Sequence, residues 1–227
     1  MTTIGKVSSR KKSKIKKLLD IFISLIGLII LFPLFFVISI FIKLNSKGPM
    51  FFKQDRLGYK GSTFKIYKLR TMVDKAWKKG TGLYVTEEDE RITKIGKYLR
   101  KFHIDEIPQL INILRGEMSL IGPRAAIPNQ YNYYEEWEKE RLDFLPGVTG
   151  WAQINGANVI DWDERIKMDV WYVKNWSLKL DFYITLKTVE HILLRVLGRK
   201  KDAYPINGPV WKRERPDNIS SRNKQNS

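Results

Sequence analysis

The sequence contains no cysteine. This absence excludes a disulfide framework, a thiol nucleophile and a zinc site built on thiolates. Histidine is nearly as scarce, since the only two are His103 and His191, which lie too far apart in sequence to indicate a histidine metal cluster. A metal ion, if one takes part in the function, should therefore be a hard cation bound through oxygen.

Acidic residues are also few for a chain of this size. The 227 residues include 24 Asp and Glu against 41 Lys and Arg, which gives a formal charge of +17. A chain this basic is expected to bind anions, namely phosphorylated substrates, acidic lipid headgroups or nucleic acid, and charge alone does not choose among them. The length suffices for one ordinary core, or for a membrane anchor with a compact domain of roughly 150 residues.

One long stretch, residues 21–42, has no charged side chain. A straight helix over it would measure roughly 33 Å, which is enough to cross a hydrocarbon core of about 30 Å. Two features favour a different path. Lys and Arg crowd both flanks, which favours the cytoplasmic side for both ends, and Pro33 removes a helical hydrogen bond in the middle. From these features alone, a spanning helix and a helix-break-helix hairpin within one leaflet are equally good interpretations.

The rest of the chain predicts a mainly helical domain with a small β-hairpin. The glycine-rich stretch 146–151 is expected to be an irregular loop that a ligand can approach closely. The apolar face of the last predicted helix could pack in a core or lie on a bilayer surface. Strands are predicted at 50–54 and 63–69, and helices at 92–102, 129–144, 163–174 and 177–197.

Two adjacent carboxylates, Asp105 and Glu106, stand in an apolar stretch that continues into Pro108. Asp105 is predicted to cap a short buried helix, whose N-terminus would favour an ionised carboxylate and a phosphate beside it. An ionised Asp can attack a phosphoryl group to form an acyl phosphate, if a divalent cation held by Glu106 and nearby cationic side chains offset the negative charge. The alternative is a capping acid with no further role, which is the commoner case for such a residue taken alone. The candidate cations are Lys68, Arg70, Arg100 and Arg124.

The stretch 104–110, followed by 112–124, resembles the signature of bacterial sugar transferases known as monotopic phosphoglycosyl transferases. The similarity extends over about residues 14–197, and several long motifs in the same order make a capping acid alone an insufficient explanation. The chain departs from the family pattern at Ala125, where proline is common, and at Ala157, where arginine is common. Further matching stretches lie at 48–49, 56–58, 64–72, 146–156 and 169–173.

The resemblance implies transfer of a sugar-1-phosphate from a nucleotide sugar, usually a UDP-sugar, to a polyprenol phosphate such as undecaprenyl phosphate. UMP would be released, and the reaction would begin capsule, exopolysaccharide or glycoconjugate assembly at the membrane. Carried onto matching positions, Asp105 would be the nucleophile that forms an aspartyl-phosphosugar intermediate, and Glu106 would assist with Mg²⁺. The implied substrate-binding residues are Lys68, Arg70, Arg100, Gln109, Arg124 and Asp169.

The resemblance also implies an architecture. Residues 1–47 would form a basic N-terminus and a re-entrant membrane hairpin broken at Pro33, residues 48–198 an α+β catalytic domain on the membrane surface, and residues 199–227 a basic tail. The protein would work at the cytoplasmic face of the bacterial inner membrane, in contact with anionic lipid and without nucleic acid, and a homodimer is one possible assembly.

A non-catalytic, membrane-anchored basic adaptor or scaffold that binds anionic lipid or nucleic acid is the alternative function. It explains the charge and the apolar stretch, but it gives no reason for the adjacent carboxylates or for the order of the motifs. Its binding should collapse as ionic strength rises.

Overall fold

The computed structural model describes residues 13–74, 76, 89–156 and 160–199. Helix predominates in this part of the chain, and the only extended structure in it is two small sheets and two isolated bridges. The predicted fold class, mainly helical with a small hairpin, is confirmed at this level, whereas most of the predicted C-terminal tail lies outside the described residues. The helices are α1 (Lys14–Asn45), α2 (Lys94–Lys101), α3 (Gln109–Leu114), α4 (Glu136–Lys139), α5 (Trp151–Ile154), α6 (Trp162–Asn175) and α7 (Leu178–Val196), and the strands are β1 (Phe51–Leu57), β2 (Thr63–Leu69), β3 (Ser119–Ile121) and β4 (Gly147–Thr149).

Strands β1 and β2 form the predicted antiparallel hairpin. Phe51 lies opposite Leu69, and Leu57 lies opposite Thr63. The boundaries of β2 are as predicted, while β1 begins one residue later and ends three residues later than predicted. Alternation along β2 buries Phe64 and Ile66 on one face, as expected for a half-buried strand.

Strands β3 and β4 pair in parallel, and here the prediction of an irregular loop was wrong. Ser119 lies opposite Gly147, and Ile121 lies opposite Thr149. Glycine is needed here because the two backbones lie very close together. A Cβ atom on Gly147 would lie 2.1 Å from the amide nitrogen of Gly122. Any side chain would therefore separate the two segments, which explains the glycines without a ligand.

Helix α1 runs through Pro33 without interruption, so the predicted separation into two helices is not found. A proline removes one backbone hydrogen bond, and the turns on either side can carry the helix past it. By length and composition, α1 could cross a membrane, and a re-entrant path for it stays a prediction.

One face of α1 packs on the rest of the protein along most of the helix. Asp20 accepts hydrogen bonds from Ser119 Oγ at 2.7 Å and from the Leu120 amide at 3.1 Å. Further along the helix, Ile38 and Ile42 join the core that contains Leu69 and Leu99. The outer face of α1 is apolar and exposed, at residues that include Leu18, Phe22, Ile29, Ile30, Phe32, Phe36 and Leu44.

Helices α2, α3, α6 and α7 confirm four of the five helices predicted outside the apolar stretch. The hydroxyl of Thr93 accepts a hydrogen bond from the Gly96 amide at 3.0 Å, which sets the start of α2 two residues later than predicted. The single helix predicted at 129–144 was wrong, because extended backbone at Tyr134 and Glu135 divides that segment into a 3-10 helix, α4 and a second 3-10 helix.

Candidate active site

Asp105 and Glu106 lie in a 3-10 turn, Ile104–Glu106, between α2 and α3. The residue before the turn is His103, whose backbone is left-handed at φ 54°. Helix α3 begins only at Gln109, so the prediction that Asp105 caps a helix was wrong. Asp105 is 8% exposed and Glu106 is 9% exposed. The burial of two adjacent carboxylates requires compensating charge.

Glu106 receives that charge directly. Lys68 Nζ donates to Glu106 Oε1 at 2.6 Å, and Arg124 Nη2 donates to the same oxygen at 3.0 Å. Burial raises the pKa of Glu106, but the charges of Lys68 and Arg124 outweigh it and hold this pKa well below its ordinary range. Glu106 is therefore a carboxylate at any physiological pH.

Asp105 is in the opposite situation. Within the described part of the chain, its carboxylate has no hydrogen bond or ion pair. Burial raises the pKa of Asp105 to about 6. The charge of Lys68 opposes this shift, and the charge of Glu106 adds to it. The environment thus drives the pKa values of the two neighbours apart, which is typical of carboxylates with different chemical tasks.

Three of the predicted cations surround the pair. Lys68, Arg100 and Arg124 each lie close enough to lower the pKa of Asp105. Arg100 Nε also donates to Thr71 Oγ1 at 2.8 Å, which fixes this guanidinium at the end of the β-hairpin. A carboxylate among cationic side chains can accept a phosphoryl group, because the cations stabilise the negative charge that this group brings.

The structure places the remaining predicted residues differently. Arg70 Nη2 donates to the carbonyl oxygens of Ile42 at 3.2 Å and Ser46 at 2.7 Å, so its guanidinium closes the end of α1. Gln109 is buried in the first turn of α3. Asp169 lies on α6 and forms a buried ion pair of 2.5 Å with Arg141. Substrate contacts for these three residues stay predictions.

Backbone contacts on several sides fix the turn that carries Arg124. The Gly147 amide donates to the Pro123 carbonyl at 2.9 Å, and Arg141 Nη2 donates to the Arg124 carbonyl at 2.9 Å. Arg56 Nη1 donates to the Ala125 carbonyl at 3.3 Å. These contacts hold the turn although residue 125 is not proline. Ala157, the other departure from the family pattern, lies outside the described residues.

Sequence reasoning missed Arg56 and Arg141 as parts of the site. Arg56 stands in a matched motif, the Arg-Leu-Gly turn, which was a usable signal. Arg141 lies in a segment of mixed charge, and the pattern of that segment does not indicate that Asp169 is its partner. Its buried pairing with Asp169 depends on the packing of distant segments.

The carboxylates can be tested for their fit to Mg²⁺. Glu106 Oε1 is occupied by two cationic side chains, whereas Oε2 and the Asp105 carboxylate have no such partners among the described residues. No group of three or more potential metal ligands occurs in the described ranges. Mg²⁺ is commonly held by one or two carboxylates together with substrate phosphates. The residues therefore fit an ion that binds with a phosphorylated ligand, and they do not form a complete protein cage.

A buried carboxylate pair under cationic side chains thus lies beside a long apolar helix. The charges of such a site suit a phosphorylated ligand, and comparison with known families gives the class of protein. The profile of the bacterial sugar transferase family matches residues 11–195, and the chain belongs to this family.

Individual relatives give the match more detail. The chain is similar to "Uncharacterized sugar transferase EpsL" of Bacillus subtilis, with 45% identity over 153 residues, 67% of this chain and 74% of the relative. It is similar to "Exopolysaccharide production protein ExoY" of Sinorhizobium fredii, with 36% identity over 193 residues, 79% of this chain and 85% of the relative.

A third relative, from Aeromonas hydrophila, is named UDP-N-acetylgalactosamine-undecaprenyl-phosphate N-acetylgalactosaminephosphotransferase. It is 38% identical over 188 residues, which make up 79% of this chain and 44% of the relative. The chain thus matches less than half the length of this relative.

Proposed function

We propose that this protein transfers a sugar-1-phosphate from a UDP-sugar to undecaprenyl phosphate through a covalent intermediate on Asp105. The observation that carries the proposal is the difference between the two carboxylates: Glu106 is bound by two cations, whereas Asp105 is buried, has no partner among the described residues and has a pKa raised to about 6. The name of the Aeromonas relative supports the acceptor and the class of donor.

In the first half of the reaction, the Asp105 carboxylate attacks the phosphorus atom that bears the sugar. A carboxylate-oxygen-to-phosphorus bond forms, the diphosphate bond breaks, and UMP leaves with the electron pair of that bond. Lys68 and Arg124 stand where they can stabilise the added negative charge. Glu106 stays ionised and, together with donor phosphate oxygens, would hold Mg²⁺, whose charge would offset that of the diphosphate.

In the second half, a phosphate oxygen of undecaprenyl phosphate attacks the same phosphorus atom. The bond to Asp105 breaks, and the carboxylate leaves in its ionised form, so the enzyme returns to its initial state. A carboxylate is a weaker base than an alkoxide and therefore leaves readily, although the raised pKa of Asp105 makes it a poorer leaving group than an ordinary aspartate. The two displacements predict ping-pong kinetics.

The packing of α1 supports a location on one side of the membrane. Near the start of α1, Lys16 Nζ forms an ion pair of 2.7 Å with Asp181. Just past its end, the Ser46 carbonyl accepts a hydrogen bond from Arg70 at 2.7 Å. Both ends of the helix thus contact the same domain, whereas a spanning helix would place them on opposite sides of the bilayer. This contact pattern favours a path within one leaflet, and the basic flanks favour the cytoplasmic face.

Helix α7 offers a second apolar surface for the same bilayer. Its outward side chains follow helical spacing, and basic residues flank them, which is typical of helices that lie in an anionic membrane interface. Such a surface would bring a lipid phosphate and a soluble nucleotide sugar to one site. The exposed large apolar side chains on α7 include Leu178, Phe182, Leu186, Val189, Leu193 and Val196.

The decisive experiment is incubation of the purified, detergent-solubilised protein with Mg²⁺ and a panel of UDP-sugars, without lipid acceptor. Intact mass and peptide mapping should show one added sugar phosphate on Asp105. Undecaprenyl phosphate should discharge this adduct, and Asp105→Asn should not form it. Turnover by Asp105→Asn, or an adduct on another residue, would refute the assignment.

A further inference from the structure

Arg165, near the start of α6, is a cation without a carboxylate in ion-pair contact among the described residues. Its Nε donates to the Ile160 carbonyl at 3.1 Å, and its guanidinium carbon lies 5.0 Å from the centre of the Trp162 ring. Its Nη2 is buried and has no hydrogen-bond partner, and Arg165 forms no ion pair within the described part of the chain. A buried N–H group without an acceptor is unfavourable unless a ligand supplies one.

Asp169, one turn further along α6, does not serve as this partner. Its Oδ2 accepts from Arg141, which also donates to the Arg124 carbonyl at 2.9 Å. Arg141 is therefore the ion-pair partner of Asp169 among the described residues, while Asp169 Oδ1 is buried without a hydrogen bond. The same contacts connect α6, and with it Arg165, to the turn that carries Arg124.

Arg56, at the end of β1, is a second arginine with a buried guanidinium nitrogen that has no hydrogen-bond partner. Its Nη1 donates to the Ala125 carbonyl and its Nη2 to Gln54 Oε1 at 2.7 Å, while its Nε is buried without a partner. These acceptors are neutral, and no described carboxylate lies within ion-pair distance of Arg56.

The electrostatics agree with an excess of positive charge. Burial lowers the pKa of both Arg56 and Arg165 to about 10, and the charge of Arg124 lowers it in each case. Glu106 offsets part of this effect at Arg56, and Asp169 and Asp161 offset part of it at Arg165. A buried cation that lacks a counter-ion destabilises a fold. An anion bound among Arg56, Arg124 and Arg165 would therefore be stabilising.

We propose that Arg165 and Arg56, together with Arg124, bind the phosphate of the donor nucleotide that leaves as UMP. This inference rests on the proposed function and deepens it, because it assigns residues to the leaving group and not to the transferred phosphoryl group. Guanidinium groups suit this task since they can donate two hydrogen bonds to one phosphate.

The packing favours the donor phosphate over the lipid phosphate. The core beneath Arg56 and Arg165 is formed by residues that include Leu57, Ile166 and Val170, and no described residue of α1 belongs to it. Helix α1 packs instead on the core around Leu69 and Leu99. The two arginines therefore belong to the part of the domain that is built without the membrane helix, where a soluble nucleotide can approach.

The test compares Arg165→Met with Lys167→Met in the full chain. Lys167 lies two residues further along α6, its side chain is 55% exposed, and its ion pair is with Glu164, so this control removes the same charge from the same helix. Calorimetry with UMP should show binding weakened tenfold or more in Arg165→Met and unchanged in Lys167→Met. Arg165→Lys should fall between Arg165→Met and the wild-type protein, and Arg56→Lys should also weaken UMP binding while keeping a donor for Ala125.

Single-turnover rates distinguish the two sources of phosphate. In Arg165→Met, UMP release on mixing with donor should slow tenfold or more, while discharge of the preformed adduct by undecaprenyl phosphate should stay within twofold of wild type. Slower discharge with normal UMP release would assign the site to the lipid phosphate and overturn the proposal. Equal losses in both steps, or none, would overturn it as well.

The failure of this inference can be separated from that of the proposed function. If the wild-type protein forms no adduct with any donor, the proposed function fails, and UMP calorimetry still decides whether Arg165 binds a phosphate. If the wild-type protein forms the adduct and Arg165→Met binds UMP equally well, only the assignment of Arg165 fails.

Discussion

Lys68 and Glu106, which are 38 residues apart in sequence, are joined by an ion pair of 2.6 Å between Nζ and Oε1. Lys68 lies next to the last residue of β2, and Glu106 is the last residue of the 3-10 turn after α2. The pair keeps Glu106 ionised and leaves the neighbouring Asp105 as the carboxylate whose pKa is raised. The separation of roles between two adjacent acids thus depends on a contact between distant segments.

Lys68→Met should lower the rate of adduct formation by about 10²-fold, because a cation that stabilises transition-state charge is lost and Glu106 is left with less compensation. The measurement is single-turnover UMP release. Lys65→Met is the matched control, since Lys65 is on the same strand, its side chain is 62% exposed, and its ion-pair partner in the described part of the chain is the exposed Asp55. An exposed pair contributes little, so this variant should keep the wild-type rate. Similar rates in the two variants would contradict the role given to Lys68.

The rate of adduct formation should rise with pH and level off above about pH 7. Burial raises the pKa of Asp105 to about 6, with Lys68, Arg100 and Arg124 opposing the shift and Glu106 adding to it. Only the ionised form can attack phosphorus, so half of the maximal rate is expected near pH 6. Single-turnover rates between pH 5 and 8 test this expectation. A flat profile, or a midpoint near the ordinary value of 3.8, would contradict the environment described for Asp105.

Asp105→Asn should inactivate the protein and stabilise it at neutral pH. Because the folded-state pKa of Asp105 lies above its ordinary value of 3.8, its contribution to stability is full below pH 3.8 and is lost as pH rises through about 6. At pH 7.5 the neutral amide should therefore raise the free energy of unfolding by on the order of 2 kcal/mol. The gain should vanish near pH 4. Denaturant unfolding at the two pH values measures it.

Glu106→Gln provides the opposite result for comparison. The pKa of Glu106 is lowered in the fold, so the stability that its charge supplies is present above its ordinary value of 4.5. Removal of that charge should destabilise the protein at pH 7.5, because Lys68 and Arg124 lose their carboxylate. If both variants changed stability in the same direction at this pH, the different environments of the two acids would be refuted.

The elements that were predicted correctly are those with local signals. Strand β2 alternates between buried and exposed residues, and α7 starts after Ser177, whose hydroxyl accepts a hydrogen bond from the Leu180 amide at 3.1 Å. The 3-10 turn that holds Asp105 and Glu106 was not predicted, because it follows a left-handed backbone at His103, which this residue type does not signal. Strand β4 was missed because its partner, β3, lies in a distant segment.

In the candidate site too, the sequence predicted the residues that lie in recognisable motifs and missed those whose role depends on contacts between distant segments. Lys68 and Arg124 lie in stretches that resemble the family signature, so both residues could be named from the sequence. The structure shows that both contact Glu106. Arg165 and Arg56 were not named, because their significance lies in the lack of a carboxylate partner in the folded protein. A sequence pattern identifies a charge, whereas only packing decides whether that charge is compensated.

The path of α1 can be decided with single cysteines, because the natural sequence has none. Lys17→Cys and Lys47→Cys place one thiol at an exposed position on each side of the apolar stretch. If α1 stays within the cytoplasmic leaflet, a membrane-impermeant maleimide should label neither thiol in intact spheroplasts and both in inverted vesicles. Labelling of one thiol from each side would instead establish a spanning helix. The ion pair of Lys16 with Asp181 and the bond from Arg70 to the Ser46 carbonyl could not then both persist in the membrane, so this outcome would also refute the packing of α1 on which the one-leaflet proposal depends.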